Sequence, residues 1–331
     1  MKLNAIFTSN MVFAANKPIR IYGEGDGSGE VCFAGHCARV EAVNGKWFVE
    51  LPEMGYGGPY ELTFKSESST VVLEDIYVGE VYLFAGQSNM QFKLNESLTP
   101  KENYETNDMM RLFSTDRIEK SDLFTPNDGW VKCKKEQAGS WSAIGYLVSR
   151  EICKKKGIAI GAIVCYQGAS VIESWVPEGT FGKLGINLLP EEKHHDHFDT
   201  FFSQWNGDGV LYNYAFSQIA PFSLSGVVWY QGESDTSVPE SKLYKTELAE
   251  MIRIWREDLK NASLPFVIVQ IADFDPRDDE GWHTVQKAQA EIEKELEFVK
   301  TVISADICEK DNIHPPTKDI LSERIAKALT E

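Results

Sequence analysis

Residues 79–95 read GEVYLFAGQSNMQFKLN, and the interpretation of the rest of the chain depends on this stretch. Its apolar run, residues 81–85, contains aromatic and β-branched side chains and is typical of a buried strand. The run ends at Gly86, where a glycine permits a sharp turn, and Ser88 stands at the start of the next element. Backbone N–H groups beyond such a turn can stabilise negative charge. The stretch therefore predicts either a presented serine nucleophile or an ordinary turn with Ser88 as a helix N-cap.

A candidate base for that serine lies in the segment DNIHPP, residues 311–316. A serine hydroxyl is a weak nucleophile and needs a base within hydrogen-bond reach, itself oriented by a third group. Asp311 and His314 are three residues apart, so one turn can bring the carboxylate to the imidazole. The prolines at 315 and 316 stiffen the chain that follows. The same spacing is also compatible with a plain surface turn.

Four motifs follow one another along the chain. They are GQSNM at residues 86–90, QGAS at 167–170, WYQGES at 229–234 and the D-x-x-H-P segment at 311–315. Together they resemble the SGNH-type serine esterases, in particular the branch of sialate O-acetylesterases and acetylxylan esterases. The N-terminal part is similar to the small β domain that precedes the catalytic domain in sialate O-acetylesterases. The resemblance thus extends over nearly the whole chain.

The resemblance implies a catalytic role for three residues. Ser88 would be the nucleophile, His314 the base, and Asp311 the carboxylate that holds the imidazole. Many acetylesterase relatives carry an acid two residues before the histidine, where this chain has Asn312. Asp311 keeps the spacing of the wider superfamily, and we prefer it for that reason.

The oxyanion hole and the substrate contacts are also assigned by resemblance. The backbone N–H groups of Ser88 and Gly168 and the side-chain amide of Gln231 would stabilise the oxyanion. This chain has Ala169 where many relatives have a second glycine, so a donor one position later stays open. Trp175 is either a platform for a sugar ring or part of the core.

The function implied is that of a carbohydrate O-acetylesterase, with an acetylated carbohydrate as its partner. Sialate 9-O-acetyl esters are the favoured substrate, because the N-terminal region resembles that branch, and acetylxylan remains an alternative. Serine ester hydrolysis requires no metal or organic cofactor. A different class, a carbohydrate-binding protein with an inactive α/β domain, stays open.

The pattern of elements predicts an α/β protein with two domains. Residues 1–78 show short strands at about ten-residue spacing, the rhythm of a small β-sandwich-like domain. Residues 79–331 alternate strands with helices, which predicts a parallel sheet with helices packed around it. The resemblance implies the SGNH-type three-layer α/β/α arrangement for this domain. We expect residues 91–130 and 177–210 to be loops that shape the substrate site. Predicted strands are 158–165, 226–230, 265–271 and 299–305, and predicted helices are 142–156, 244–259, 282–295 and 318–329.

Composition excludes several classes of function. The net charge of −17 offers no basic field for nucleic acid or for an anionic membrane surface. No apolar run approaches the ~20 residues needed to span a bilayer. The first residues show no secretory signal, so we expect a cytoplasmic protein. The six cysteines form no C-x-x-C pair, and we expect reduced thiols, although a Cys32–Cys37 bridge is conceivable.

Two other groups of residues suggest different chemistry. The run His194-His195-Asp196-His197 contains metal-ligand types, but adjacent residues on one loop rarely converge on a metal ion. Glu173 and Glu233 resemble the paired carboxylates of glycoside hydrolases. Each follows a predicted strand, and a buried structural acid fits that position better. We therefore predict no metal site and no glycosidase.

Overall fold

The computed structural model describes residues 1–118, 124–125, 129–187 and 201–331. In chain order the strands are β1 (Lys2–Leu3), β2 (Val12–Ala14), β3 (Ile19–Glu24), β4 (Ser28–Phe33), β5 (His36–Glu41), β6 (Lys46–Leu51), β7 (Gly57–Ser66), β8 (Thr70–Gly86), β9 (Asn107–Ser114), β10 (Arg117–Ile118), β11 (Phe124–Thr125), β12 (Val131–Cys133), β13 (Ile160–Tyr166), β14 (Gly226–Tyr230), β15 (Phe266–Val269) and β16 (Val299–Val302). The α-helices are α1 (Ser88–Gln91), α2 (Lys135–Ala138), α3 (Ala143–Lys156), α4 (Thr180–Lys183), α5 (Val210–Tyr214), α6 (Val238–Asp258), α7 (Glu280–Glu295) and α8 (Asp319–Thr330).

The largest sheet is organised around β8. Its main path runs β12-β9-β13-β8-β14-β15-β16, and neighbouring strands from β9 to β16 are parallel. Only β12 at one end of this path is antiparallel to its neighbour. The sheet is thus mixed and mostly parallel, and the carboxyl ends of its central strands lie at one edge. Ligand sites of open α/β sheets lie at that edge.

Helices cover both faces of this sheet. Tyr82 and Phe84 point to a core that includes side chains of α3 and α8. Val81, Leu83 and Ala85 alternate with them and contribute to a second core with α6 and α7. The continuous apolar run of β8 is explained by burial on both sides.

The N-terminal sandwich is not confirmed. β1, β3 and β6 form a separate three-stranded sheet, whereas β2 and β7 pair with the first half of β8. β4 and β5 join the large sheet through β7. The predicted boundary between residues 78 and 79 falls inside β8, so the division into two domains stays a prediction.

Most of the predicted elements of the α/β part are confirmed. α3 begins after Ser142, whose hydroxyl accepts the N–H of Gly145, and ends at Gly157 in the left-handed region. The prediction of a loop over 91–130 is wrong at β9, which pairs with β13 inside the sheet. Arg111, a charged residue, is buried in that strand, and it interrupts the apolar run that would otherwise have predicted a strand. Its guanidinium is neutralised by Asp75 and lies 4.5 Å from the ring centroid of Tyr77.

The expectation of reduced thiols is wrong for one pair. Cys32 and Cys37 face each other on β4 and β5 and form a disulfide with an S–S distance of 2.06 Å. The sequence pattern predicts one strand over residues 31–40, whereas the chain turns back at residues 34–35. The other four cysteines are free.

Candidate active site

The chain segments that follow β8, β13 and β14 meet at the sheet edge. After Gly86, the N–H of Gln87 donates to the carbonyl of Tyr230 at 3.0 Å. The Oε1 of Gln87 accepts the N–H of Gly232 at 3.2 Å. On the opposite side, the N–H of Gln167 donates to the carbonyl of Gly86 at 3.0 Å. The three sequence motifs are therefore adjacent in space, although the residues in contact are up to 145 positions apart in the sequence.

Ser88 is the first residue of α1 and is half-buried. The N-cap is Gln87, so the alternative of Ser88 as an N-cap is excluded. Among the described residues, neither the hydroxyl nor the backbone N–H of Ser88 has a hydrogen-bond partner. A free N–H at a helix start beside a serine hydroxyl is a suitable donor to an oxyanion.

Gly168 lies against Ser88. A Cβ placed on Gly168 would be 3.7 Å from the Cβ of Ser88 and 3.2 Å from the Oε1 of Gln91. The N–H of Gly168 donates a hydrogen bond to that Oε1 at 3.0 Å, so this N–H is already paired with an uncharged amide oxygen. Ala169 follows with a φ of +54°, a backbone conformation that glycine adopts at lower cost.

A hydrogen bond connects the loop of His314 to the turn of Ser88. Asn89, the residue after the serine, donates from Nδ2 to the carbonyl of Ile313 at 2.9 Å. His314 is half-buried, and its ring centroid lies 6.3 Å from that of Phe92. The ring makes no hydrogen bond to Ser88 or to any other described residue. Serine–histidine contacts are often long without a substrate and tighten when one binds.

Burial is the main factor that biases His314 towards the neutral form. Burial lowers the pKa of His314 from its usual 6.5, the positive charge of Lys318 lowers it further, and the negative charge of Glu96 raises it. A neutral imidazole is the form that a general base requires.

Asp311 does not contact His314. Its side chain is exposed and forms no hydrogen bond or ion pair with any described residue. The side chain of Asn312 instead accepts the backbone N–H of His314 at 2.9 Å. The structure therefore brings Ser88, Gly168 and the His314 loop together and leaves Asp311 at the surface.

The predicted role of Gln231 does not fit its position. The side chain is fully buried, and its Nε2 donates to the carbonyl of Ser170 at 2.8 Å and to the carboxylate of Asp235. Its Oε1 accepts the hydroxyl of Tyr244 at 3.1 Å. An amide has only two N–H donors, and both are used inside the protein. We therefore leave Gln231 out of the oxyanion hole.

Trp175 is not a sugar platform. It has no exposed surface, and its indole N–H donates to the hydroxyl of Ser170 at 3.0 Å. Its ring packs edge-on against Trp229 at a centroid distance of 5.6 Å. Of the two alternatives left open by the sequence, the core position is the one observed.

The described part of the chain offers no metal centre. In residues 1–118, 124–125, 129–187 and 201–331, no group of three or more His, Cys, Asp or Glu side chains could hold an ion. The run from His194 to His197 lies outside the described residues.

None of the described helices combines the length and hydrophobicity that crossing a bilayer requires.

Comparison with known proteins gives the family. Residues 78–331 match the family described as "Carbohydrate esterase, sialic acid-specific acetylesterase". The chain belongs to this family. The match includes the turn of Ser88, Gly168 and the loop of His314, and it begins inside β8.

Related proteins agree with this assignment. The human sialate O-acetylesterase is 27% identical over 88% of this chain, and the mouse protein is 25% identical over 86%. A carbohydrate acetylesterase from Xanthomonas citri superposes with a TM-score of 0.85 at 27% identity, over 99% of this chain and 74% of that one. The chain spans 61% of the human and 63% of the mouse relative.

Sequence reasoning missed several residues that build this member of the acetylesterase family. Asn89 is inside the GQSNM motif, and yet the motif alone assigns it no partner. The side chain of Gln91 accepts a hydrogen bond from the N–H of Gly168. The Nζ of Lys318 donates to the Oδ1 of Asn89 at 2.9 Å. The only available signal for Lys318 was its place shortly after the histidine motif.

Proposed function

We propose that this chain is a serine-dependent carbohydrate O-acetylesterase. The Oγ of Ser88 bonds to the acetyl carbonyl carbon while His314 takes the hydroxyl proton. The N–H groups of Ser88 and Gly168 stabilise the oxyanion. As the ester bond breaks, His314 returns the proton to the departing sugar oxygen. Water then attacks the acetyl-enzyme with the same base, and acetate and free Ser88 result.

One observation carries this proposal. The side chain of Asn89 joins the turn of Ser88 to the loop of His314, and both Ser88 and His314 are half-buried. The Oε1 of Gln91 lies at the position that we propose for the oxyanion, because it accepts the N–H of Gly168. This side chain has to turn away when the acetyl oxygen takes its place.

The favoured substrate is an acetylated sialate. The family description names sialic acid, and the human and mouse relatives are named sialate O-acetylesterases. The relative from Xanthomonas citri is described only as a carbohydrate acetylesterase, which leaves acetylated xylan fragments as the second candidate.

The substrate proposal is tested by comparing kcat/KM for 9-O-acetyl sialate and for acetyl-xylooligosaccharides, with an aryl acetate as reference. We expect hydrolysis of all three, with the highest kcat/KM for the sialate. A higher value for the xylooligosaccharides would reassign the substrate. Loss of selectivity between the two sugars would mean that the site recognises only the acetyl ester.

Asp311 remains our proposed orienting carboxylate, and a pair of variants tests it. Asp311→Asn should lower kcat by roughly tenfold or more, because we propose that the exposed carboxylate, three residues before His314, turns onto the imidazole when the substrate binds. Glu96→Gln is the comparison variant, since the negative charge of Glu96 raises the pKa of His314. A loss confined to Glu96→Gln would transfer the role to Glu96.

A further inference from the structure

Lys318 is a buried lysine whose side chain contacts Asn89, the residue after Ser88. It precedes α8 and has no exposed surface, and the only hydrogen bond of its side chain to a described residue goes from Nζ to the Oδ1 of Asn89, at 2.9 Å. The Nζ also lies 5.1 Å from the ring centroid of Phe92 and 5.4 Å from that of Tyr230. Lysine is rarely buried completely unless it is paired, so this position requires a compensating partner.

Asn89 uses both ends of its amide. The Oδ1 accepts from Lys318, and the Nδ2 donates to the Oε1 of Glu233 at 2.6 Å and to the carbonyl of Ile313 at 2.9 Å. One side chain therefore links the nucleophile turn, the histidine loop and the segment after β14. All of its hydrogen-bonding groups except one lone pair are used.

Glu233 balances the charge of Lys318 through this amide. It is a buried acid, as the sequence predicted, and its Oε2 has no hydrogen-bond partner among the described residues. Burial raises the pKa of Glu233, and burial lowers the pKa of Lys318 to about 7. Besides Glu233, the groups whose charges act on Lys318 are Glu309 and Cys308. Removing either member of such a buried pair leaves the other without compensation.

We propose that Lys318 is a positioning residue for the esterase reaction: through Asn89 its ammonium group holds the histidine loop against the nucleophile turn, and the ring of Phe92 lies near both Lys318 and His314. This inference rests on the proposed esterase function.

The sign of the pH effect follows from the two charges that act on His314. Lys318 lowers the pKa of His314 and Glu96 raises it. Burial lowers the pKa of both His314 and Lys318, that of Lys318 to about 7. Removing the Lys318 charge should raise the pKa of His314. The acid limb of kcat should then move to higher pH, because the protonated imidazole cannot act as a base.

The test measures kcat and KM for 4-nitrophenyl acetate across the titration range of histidine. Lys318→Met should lower kcat roughly ten- to a hundredfold with little change in KM, and should move the acid limb to higher pH. Lys318→Gln keeps a donor for Asn89 without the charge, so it should move the limb equally with a smaller loss of kcat. Lys327→Met, on the exposed face of α8, is the control and should match the unmodified protein.

A second measurement does not depend on activity. The His314 ring is titrated by NMR, with its signal assigned by its loss in His314→Asn. Lys318→Met should raise the midpoint. If the single variant does not fold, Lys318→Met combined with Glu233→Gln removes both buried charges and should show the same rise.

The outcomes separate this inference from the proposed function. Absence of ester hydrolysis by the unmodified protein would overturn the function, whereas the NMR titration would still decide the electrostatic role of Lys318. An unchanged midpoint in every Lys318 variant that folds would overturn the inference. A uniform loss of kcat at all pH values with an unchanged midpoint would overturn it as well, since Lys318 would then be only structural.

Discussion

Ser88→Ala should abolish hydrolysis of an aryl acetate, with a loss in kcat of at least ~10³-fold. The substitution removes the only atom that can form the acetyl-enzyme, while the oxyanion donors remain. The hydroxyl makes no hydrogen bond to any described residue, so its loss leaves no buried group unpaired. The thermal midpoint should therefore be unchanged.

A fluorophosphonate probe gives an independent readout of the same residue. It should label the unmodified protein and the control Ser97→Ala, and it should not label Ser88→Ala. The Ser97 hydroxyl donates to the carbonyl of Leu94 and accepts the N–H of Thr99, both nearby in the chain. Hydrolysis by Ser88→Ala at the normal rate would remove Ser88 from the mechanism. Absence of labelling together with glycan binding by the unmodified protein would favour the carbohydrate-binding alternative.

Gly86→Ala should destabilise the protein by ~3 kcal/mol or more. Gly86 has a φ of +138°, which side chains rarely tolerate, and an added Cβ would lie 2.1 Å from the carbonyl oxygen of Tyr230. That oxygen is held by the N–H of Gln87, so neither backbone can retreat without breaking the junction at the sheet edge. Urea denaturation measures the free energy of unfolding.

Gly157→Ala is the control for this prediction. Gly157 also has a positive φ, +66°, but no atom lies within 4 Å of its added Cβ. It should lose only about 1 kcal/mol, the cost of the left-handed conformation. Equal losses in the two variants would show that crowding against Tyr230 contributes nothing.

The elements of the α/β part were largely predictable because their patterns are local. The run of residues 81–85 predicted a strand buried on both faces, and α3 and α8 followed from apolar periodicity. β9 was missed because it contains Arg111, whose burial depends on Asp75, 36 residues away. The N-terminal strands were predicted individually, but their pairing with β8 depends on long-range register.

The site was predictable to the extent that backbone geometry defines it. A glycine at the end of a strand, followed by a serine, predicted the turn, and the structure shows its conformation at Gly86. The motif containing Gln231 was equally visible, yet its amide faces Ser170 and Asp235 rather than the site. Trp175 packs in the core against Trp229 instead of lining the site. A motif gives residue type and order, and it does not give the direction of a side chain.

The sequence by itself determined most of the strands and helices of the α/β part, the turn at Gly86, and the residue types available for ester chemistry. These features depend on neighbours within a few positions, and hydrophobic periodicity and glycine conformation record them directly. The tertiary structure alone decided which of those residues meet. The hydrogen bond from Asn89 to the carbonyl of Ile313 joins positions 224 residues apart, and the one from Lys318 to Asn89 joins positions 229 apart. Such contacts exist because parallel strands end at one edge of a packed sheet, and no local pattern encodes that.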